Sequence, residues 1–469
     1  MSKKNQPTIE PSGDDVVDLY IKRKKIHPRE AVGFFQTVRV LTIWLTLTWF
    51  YSAPWLLWDK RQALLFDLPE RKFYIFGFTF WPQDFVYLAV LLIIAAIALF
   101  FFTALAGRIW CGYTCPQTVW TRLFIWIERL TEGNRNQRIR LDNSPWSLNK
   151  FVRRSCKHIL WGLLAFLTAF TFVGYFTPIR YLSFEIIEFS LSSWEMFWIG
   201  FFSVATYVNA GWIREQVCLY MCPYARFQSV MFDSNTLVIS YDKARGEPRG
   251  QRKKEADYKT QGLGDCVSCN QCVYVCPTGI DIRDGLQMAC IGCAACIDAC
   301  DSIMDNMNYP KGLIRYTTEN KLEHKKSKIL RPRLIIYGLL LFFLSMSLAT
   351  ALIVRVPFDL EIIRDRNQLY RETAEGLIEN VYTLKIMNKS QQEQSYEITL
   401  SGINDMVLVG NSQISTSPGQ VLLHPIRIQV DPDNLVEKRN KITIKIINIT
   451  HAKQIVERET TLISPVFRR

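Results

Sequence analysis

Eight cysteines in two copies of one pattern constrain this chain more than any other feature. Cys266, Cys269, Cys272 and Cys276 are spaced C-x₂-C-x₂-C-x₃-C, and Cys290, Cys293, Cys296 and Cys300 repeat the run. This is the spacing that binds iron–sulfur clusters in bacterial ferredoxins. Three thiolates from one turn wrap a cubane, and the fourth reaches across to the other cluster. Cys266, Cys269, Cys272 and Cys300 are therefore expected to hold one [4Fe–4S] cluster, and Cys290, Cys293, Cys296 and Cys276 the second. Zinc fits less well, because its sites usually take four ligands as two separated pairs. Disulfides need an oxidising compartment, against which the topology argues. Pro277 follows Cys276 while Asp301 follows Cys300, a departure in a residue that ligates nothing.

Charge and cysteine are unevenly placed. Residues 356–469 carry 14 Lys+Arg and 14 Asp+Glu, so the formal charge of +13 resides in the first 355 residues. All thirteen cysteines lie in the first 300. The two ends of the chain are thus expected to face different compartments. Residues 1–38 are polar, with the basic run Lys22-Arg23-Lys24-Lys25, and show no cleavable signal segment. Five uncharged stretches follow: Val40–Trp58, Phe85–Gly107, Ile159–Ile179, Met196–Ile213 and Leu334–Val354. About 20 apolar residues cross a bilayer core as a helix, so five spans are expected. Phe73–Gln83 is too short to cross and is expected at the interface. Lys and Arg crowd the loop from Arg108 to Lys157 and the loop holding Lys243, Arg245 and Arg249, whereas Arg180 faces Glu185 and Glu188 between the third and fourth stretches. The positive-inside rule then places the N-terminus and the cysteine domain in the cytoplasm and the C-terminus in the periplasm. The basic run at 243–254 reads as a solvated face beside anionic lipid.

Residues 360–469 alternate. Tyr382, Leu384 and Ile386, then Ile426, Ile428 and Val430, then Ile442, Ile444 and Ile446 share period two, with turn signals such as Ser417-Pro418-Gly419 between them. This pattern predicts a small β-sandwich. His424 and His451 are isolated there, and the domain reads as a docking or structural module.

A second cysteine set sits at the ends of helices two and four. Cys111-Gly-Tyr113-Thr-Cys115-Pro116 matches Cys218-Leu-Tyr220-Met-Cys222-Pro223, each a few residues after an Ala-Gly pair. Helices one–two and three–four thus read as two copies of one hairpin. Cysteines four apart share a helix face, so four thiols are expected to converge if the hairpins pair. Soft thiolates favour Cu(I), zinc or iron–sulfur; the competing reading is that they are small apolar residues of a membrane helix. Of the five histidines, His27, His158, His324, His424 and His451, none falls inside an expected span, which excludes an intramembrane bis-histidine haem. Neither G-x-G-x-x-G nor a P-loop is present, so electrons must come from a partner.

The segments Gly107–Gln117, Cys218–Gln228, Cys290–Asp301 and Pro310–Thr317 together resemble the cytochrome c oxidase accessory proteins of the FixG/RdxA/CcoG type, over nearly the whole chain. The resemblance implies a five-helix membrane domain (39–230 with a last helix at 334–354), a cytoplasmic two-cluster ferredoxin-like domain (231–330) and a periplasmic immunoglobulin-like sandwich (360–469) in the bacterial inner membrane. It also implies a cupric reductase that supplies Cu(I) for a cbb₃-type oxidase, with Cys111, Cys115, Cys218 and Cys222 as the copper or redox cysteines and copper as substrate or ligand. Expected partners are copper ions, a cytoplasmic electron donor, a copper transporter or oxidase-assembly proteins, the bilayer and a second copy of the chain, with no nucleic acid. Two other readings remain open: a quinone-linked electron conduit, with Trp194, Trp198 and Phe201 around the quinone, and a non-enzymatic assembly scaffold. Cys156 matches no motif.

Overall fold

The computed structural model describes residues 25–254, 258–366, 368–435, 437–450 and 454–465. Most of the basic run at Lys22–Lys25, and His451, lie outside these residues. Among the described residues, four helices are long and apolar enough to cross a membrane, where the uncharged stretches counted five. The first expected span, Val40–Trp58, is helical as α1, Phe34–Ser52. It stops early because Pro54 brings in a short turn, Ala53–Trp55, and it carries the buried pair Gln36 and Arg39 on one side. Phe73–Gln83 is not α-helical. It supplies two strands of a small antiparallel sheet, β1 (Leu64–Asp67), β2 (Lys72–Ile75) and β3 (Phe78–Phe80).

Next come α2 (Phe85–Ala106), the short α3 (Ile109–Tyr113), α4 (Pro116–Glu132) and α5 (Leu148–Val173). α5 begins well before Ile159, so His158 falls inside it, with Nδ1 2.7 Å from the Tyr207 hydroxyl. α6 (Ser193–Thr206) continues as a π-helix over Tyr207–Ile213, and α7 (Pro223–Met231) follows. Of the two expected hairpins, the second forms and the first does not. α2 packs on the last long helix, while α5 packs on α6. Trp194, Trp198 and Phe201 on α6 are exposed, face outward and pack on each other and their neighbours.

The cysteine-rich unit is tied by β4 (Val238–Tyr241) and β5 (Ile314–Thr317), paired antiparallel, and holds α8 (Ala295–Met307). α9 (Pro332–Val354) leads out of it. The C-terminal unit is a sandwich of two antiparallel sheets. β6 (Phe358–Arg364), β7 (Ile378–Asn388), β8 (Gln394–Ser401), β9 (Val407–Val409), β10 (Gln413–Thr416), β11 (Val421–Val430), β12 (Arg439–Asn448) and β13 (Ile455–Ile463) run in the orders β9-β11-β7-β6 and β10-β8-β12-β13. All nine alternating residues read from the sequence are buried in its core. Period-two burial between two sheets is the physical basis of such a core.

The two soluble units sit at opposite ends of the α2–α9 pair. Asp84, at the start of α2, pairs with Arg355 at 2.5 Å just past the end of α9 and with Lys389 of the sandwich at 3.0 Å. At the other end, Arg331 before α9 donates to Asp233 and to the carbonyl of Ala104 near the end of α2. α1 runs between the same two faces. Asp298 of α8 accepts from the Phe35 and Gln36 amides at its first turn. Beyond its last turn, Gln62 reaches the carbonyl of Gly174 after α5. Among the described residues, Asp84→Ala leaves buried Arg355 with no carboxylate and buried Lys389 with only Asp359, 3.6 Å away, and is expected to cost about 3–5 kcal/mol. The check is the denaturation midpoint, together with faster limited proteolysis between α9 and the sandwich; an unchanged midpoint would contradict the role of this clasp.

Candidate iron–sulfur and thiol site

The two cysteine runs adopt one backbone form. Ser268 and Asn270 in the first, and Gly292 and Ala294 in the second, take left-handed conformations at equivalent positions. Three of these four are not glycine, so the local cost is offset by the surrounding structure. Arg283 donates to the Asn270 side chain at 2.6 Å and holds that turn. Each loop then curls its first three thiols around a small void. Cys266, Cys269 and Cys272 share the first void with Cys300. Cys290, Cys293 and Cys296 share the second with Cys276, and Cys272 also touches it. The fourth thiol of each run therefore lies at the other run's void. The remaining lining is mainly apolar, including Ile303, Met304 and Leu313 at one void and Ile280, Ile282 and Ala295 at the other. Burial pushes the Cys272 thiol up to about 11 and Cys290 up to about 12. It also raises Cys296 and Cys300, with neighbouring thiols acting the same way. A ring of buried thiols is held as thiolate only when cationic metal displaces the protons. The donor set, four thiols at each void, and the apolar walls fit an iron–sulfur cubane.

The membrane-edge cysteines differ from the expected helical pairs. Cys111 lies in α3, but Cys115 leaves helical geometry and becomes the residue before α4, with Pro116 at the first helical position. Cys218 sits in a π turn, Val217–Met221, and Cys222 precedes α7, with Pro223 first. Proline disfavours helical geometry in the preceding residue and suits a helix start. Each C-x₃-C pair thus straddles a break instead of sharing one face. Each second thiol also sits at a helix N-terminus, and burial raises the Cys115 thiol against the backbone amides of Thr118 and Gln117.

The two motifs nonetheless meet. The Cys111 thiol is 3.6 Å from Oε1 of Gln228 on α7. Gln117 on α4 donates to the carbonyls of Asn209 and Arg214 at 2.8 and 3.0 Å. Burial pushes Cys111 up to about 12, with Cys115, Cys218 and Cys222 acting in the same direction and Arg108 against it. Cys218 is pushed up to about 11 by burial, then by Cys115 and Cys222. The four thiols lie within electrostatic reach of one another. Among the described residues, however, no three His, Cys, Asp or Glu side chains close around a single ion. The tyrosines are not equivalent: Tyr113 is buried, whereas Tyr220 is exposed.

The turn bearing Cys111 and Gly112 is pressed against the second cysteine loop. A Cβ on Gly112 would stand 2.7 Å from the Gly292 carbonyl oxygen and 2.9 Å from Cys293 Cα, closer than real side chains approach backbone. Cys111 packs in one apolar cluster with Cys293 and Cys296. Buried Arg108 donates to the carbonyls of Met288, of Cys290 at 3.1 Å and of Ala225 at 2.5 Å. Arg39 reaches the Cys293 carbonyl at 3.4 Å, and the Tyr316 hydroxyl donates to the Gly292 carbonyl at 2.7 Å. Sequence reading quoted Arg108, Gly112, Asp298 and Tyr316 inside motifs without a role, and it passed over Arg39. The signal for Gly112 was its place between two cysteines.

Comparison with known proteins adds independent findings. The 4Fe-4S dicluster domain matches residues 213–319, a 4Fe-4S binding domain matches residues 88–132, and the IG-like fold at the C-terminus of FixG matches residues 348–465. The nitrogen fixation protein FixG of Rhizobium meliloti is 37% identical over 91% of this chain and 87% of its own length. Protein RdxA of Cereibacter sphaeroides is 39% identical over 82% and 84%, and protein RdxB of the same organism 40% over 83% and 84%. A crystal structure of a FixG-related protein from Vibrio parahaemolyticus is 35% identical over 24% of this chain and 98% of that one, with a TM-score of 0.22.

Gly112→Ala is expected to force the second cysteine loop away from α3, costing about 1–3 kcal/mol and lowering iron retained per chain. Gly162→Ala is the control, because a Cβ there meets nothing within 4 Å. Iron analysis of the two purified variants makes the comparison, and equal iron in both would remove the significance of the close approach.

Proposed function

The chain belongs to the FixG and RdxA family of iron–sulfur redox proteins, and on that premise we propose that it is a membrane oxidoreductase that converts Cu(II) to Cu(I) at its four membrane-edge thiols, for assembly of a cbb₃-type oxidase. The observation that carries the reading is the seam at Gly112, where the turn bearing Cys111 abuts the second cysteine loop with no side chain between the two backbones. Cys266, Cys269, Cys272 and Cys300 would hold one [4Fe–4S] cluster, and Cys290, Cys293, Cys296 and Cys276 the other. Bound there, such clusters supply single electrons at potentials within about −700 to +450 mV, tuned by burial and hydrogen bonding.

The chain's own residues do the rest. Cu(II) takes up one electron, which originates from a reduced one-electron carrier in the cytoplasm. Soft thiolates hold Cu(I) in preference to Cu(II) and favour the reduced product. Burial keeps Cys111 and Cys218 protonated at neutral pH, so copper displaces protons as it binds. The four thiols stand too far apart to grip one ion as they are, and the π turns around Cys218 offer local give.

The thiol domain faces the cytoplasm in this reading, on the side where Arg and Lys crowd the loops. The sandwich faces the periplasm and docks a copper transporter or an oxidase-assembly partner. α1 then crosses as a fifth span. Its 19 residues cover about 28 Å, and Leu41, Trp44 and Leu45 are exposed on its outer side.

Purified protein with reduced clusters, mixed anaerobically with Cu(II), is expected to reoxidise while a Cu(I)-specific chelator captures product. Serine at Cys111, Cys115, Cys218 and Cys222 together should slow this by at least about a hundredfold with iron content retained. An unchanged rate would end the copper reading and leave a conduit to another acceptor.

A further inference from the structure

A cleft beside the first cysteine loop is lined by charge that the copper reading does not use. Arg29, Arg122, Arg129, Arg135 and Arg138 line it with a single carboxylate, Glu30. It is an open concavity of about 510 Å³ bounded by four segments. These are the stretch before α1, one face of α4, the segment from Asn134 to Arg138, and the short helical turn Gln271–Tyr274 that carries Cys272. Arg122, Ile125, Trp126 and Arg129 fall at helical spacing, so α4 turns one continuous face into it.

The acids available do not balance the cations. Glu30 pairs with Arg129 and stands 3.8 Å from Arg122. Arg138 is matched by buried Glu128 at 3.0 Å. Among the described residues no carboxylate pairs with Arg29 or Arg135. Arg29 donates to the Gln271 side chain at 2.9 Å, and Arg135 donates to the His27 carbonyl while its guanidinium lies over the Tyr274 ring at 4.5 Å. Arg138 is almost wholly buried, yet its Nε has no acceptor. Burial, then the neighbouring Arg39, lowers the Arg122 pKa to about 10. An unneutralised group of guanidiniums in a concave site is built for an anion with several acceptor oxygens, and planar guanidinium forks match phosphate. Half-exposed Trp126 and Tyr274 add flat apolar walls.

We propose that this cleft binds a phosphate ester, carried on a soluble ligand such as a phosphorylated flavin or nucleotide, or on an anionic lipid headgroup. The site abuts the turn bearing Cys272, so its occupant lies beside the first cysteine void. The inference stands independently of copper, since loss of copper reduction would leave it untouched.

The test uses full-length, cluster-loaded protein in neutral detergent. Calorimetric titration with flavin mononucleotide, with inorganic phosphate as competitor, is one arm. Recovery of bound phosphatidylglycerol from nanodiscs of mixed neutral and anionic lipid is the other. Saturable binding in either arm that weakens with added salt and falls about tenfold or more in Arg29→Gln/Arg135→Gln supports the site, and the arm that responds identifies the source of the phosphate. Iron content and the thermal midpoint report whether that variant is folded. If it is not, Arg122→Gln carries the test. No saturable binding in either arm, or binding that these substitutions leave unchanged, overturns the proposal.

Discussion

The contact between Gly112 and the Gly292–Cys293 backbone governs how the two sulfur-rich parts of this protein relate. Backbone meets backbone there with no intervening side chain. Such proximity is available only where glycine removes the Cβ, and it needs lateral restraint to persist. Arg108 provides the restraint: one guanidinium bonds carbonyls from the second cysteine loop and from α7. Bonds from a charged donor are stronger than neutral ones, and a buried guanidinium without acceptors would be costly. Asp298 extends the same docking to α1, placing a carboxylate where two free amides and the helix dipole converge. The cysteine domain therefore completes the helix it rests on.

Much of this was legible from residue order because it is local. Ligand spacing is a property of one turn, and period-two burial is a property of one strand; the cysteine runs and the residues from Tyr382 to Ile446 read directly. The breaks inside the C-x₃-C pairs were also written in the chain. Pro116 and Pro223 follow the second cysteine in each copy, and a residue before proline avoids helical geometry. Reading the pairs as one helix face gave the i, i+4 rule more weight than the proline.

What could not be read depends on contacts distant in sequence. Arg108 meets residues more than a hundred positions away, and nothing near Asp298 indicates that it will serve α1. The internal repeat was visible, but its two copies have diverged in three dimensions. The first ends α2 at Gly107 in a left-handed turn, while the second runs through Gly211 as a π-helix and turns only at Arg214. Arg214 then pairs with buried Glu128 at 2.6 Å, a bond that also draws in Arg138. Tertiary electrostatics override the likeness in sequence.

The α2–α9 pair is clamped at both ends, by Arg331 with Asp233 and Ala104 on one side and by Asp84 with Arg355 and Lys389 on the other. Two helices fastened at both extremities behave as a strut. A load placed on the sandwich is carried along its length instead of being absorbed in a loose tether. Since Arg331 also grips the segment that opens the cysteine domain, the strut joins the two soluble units mechanically, across a distance no side chain could cover.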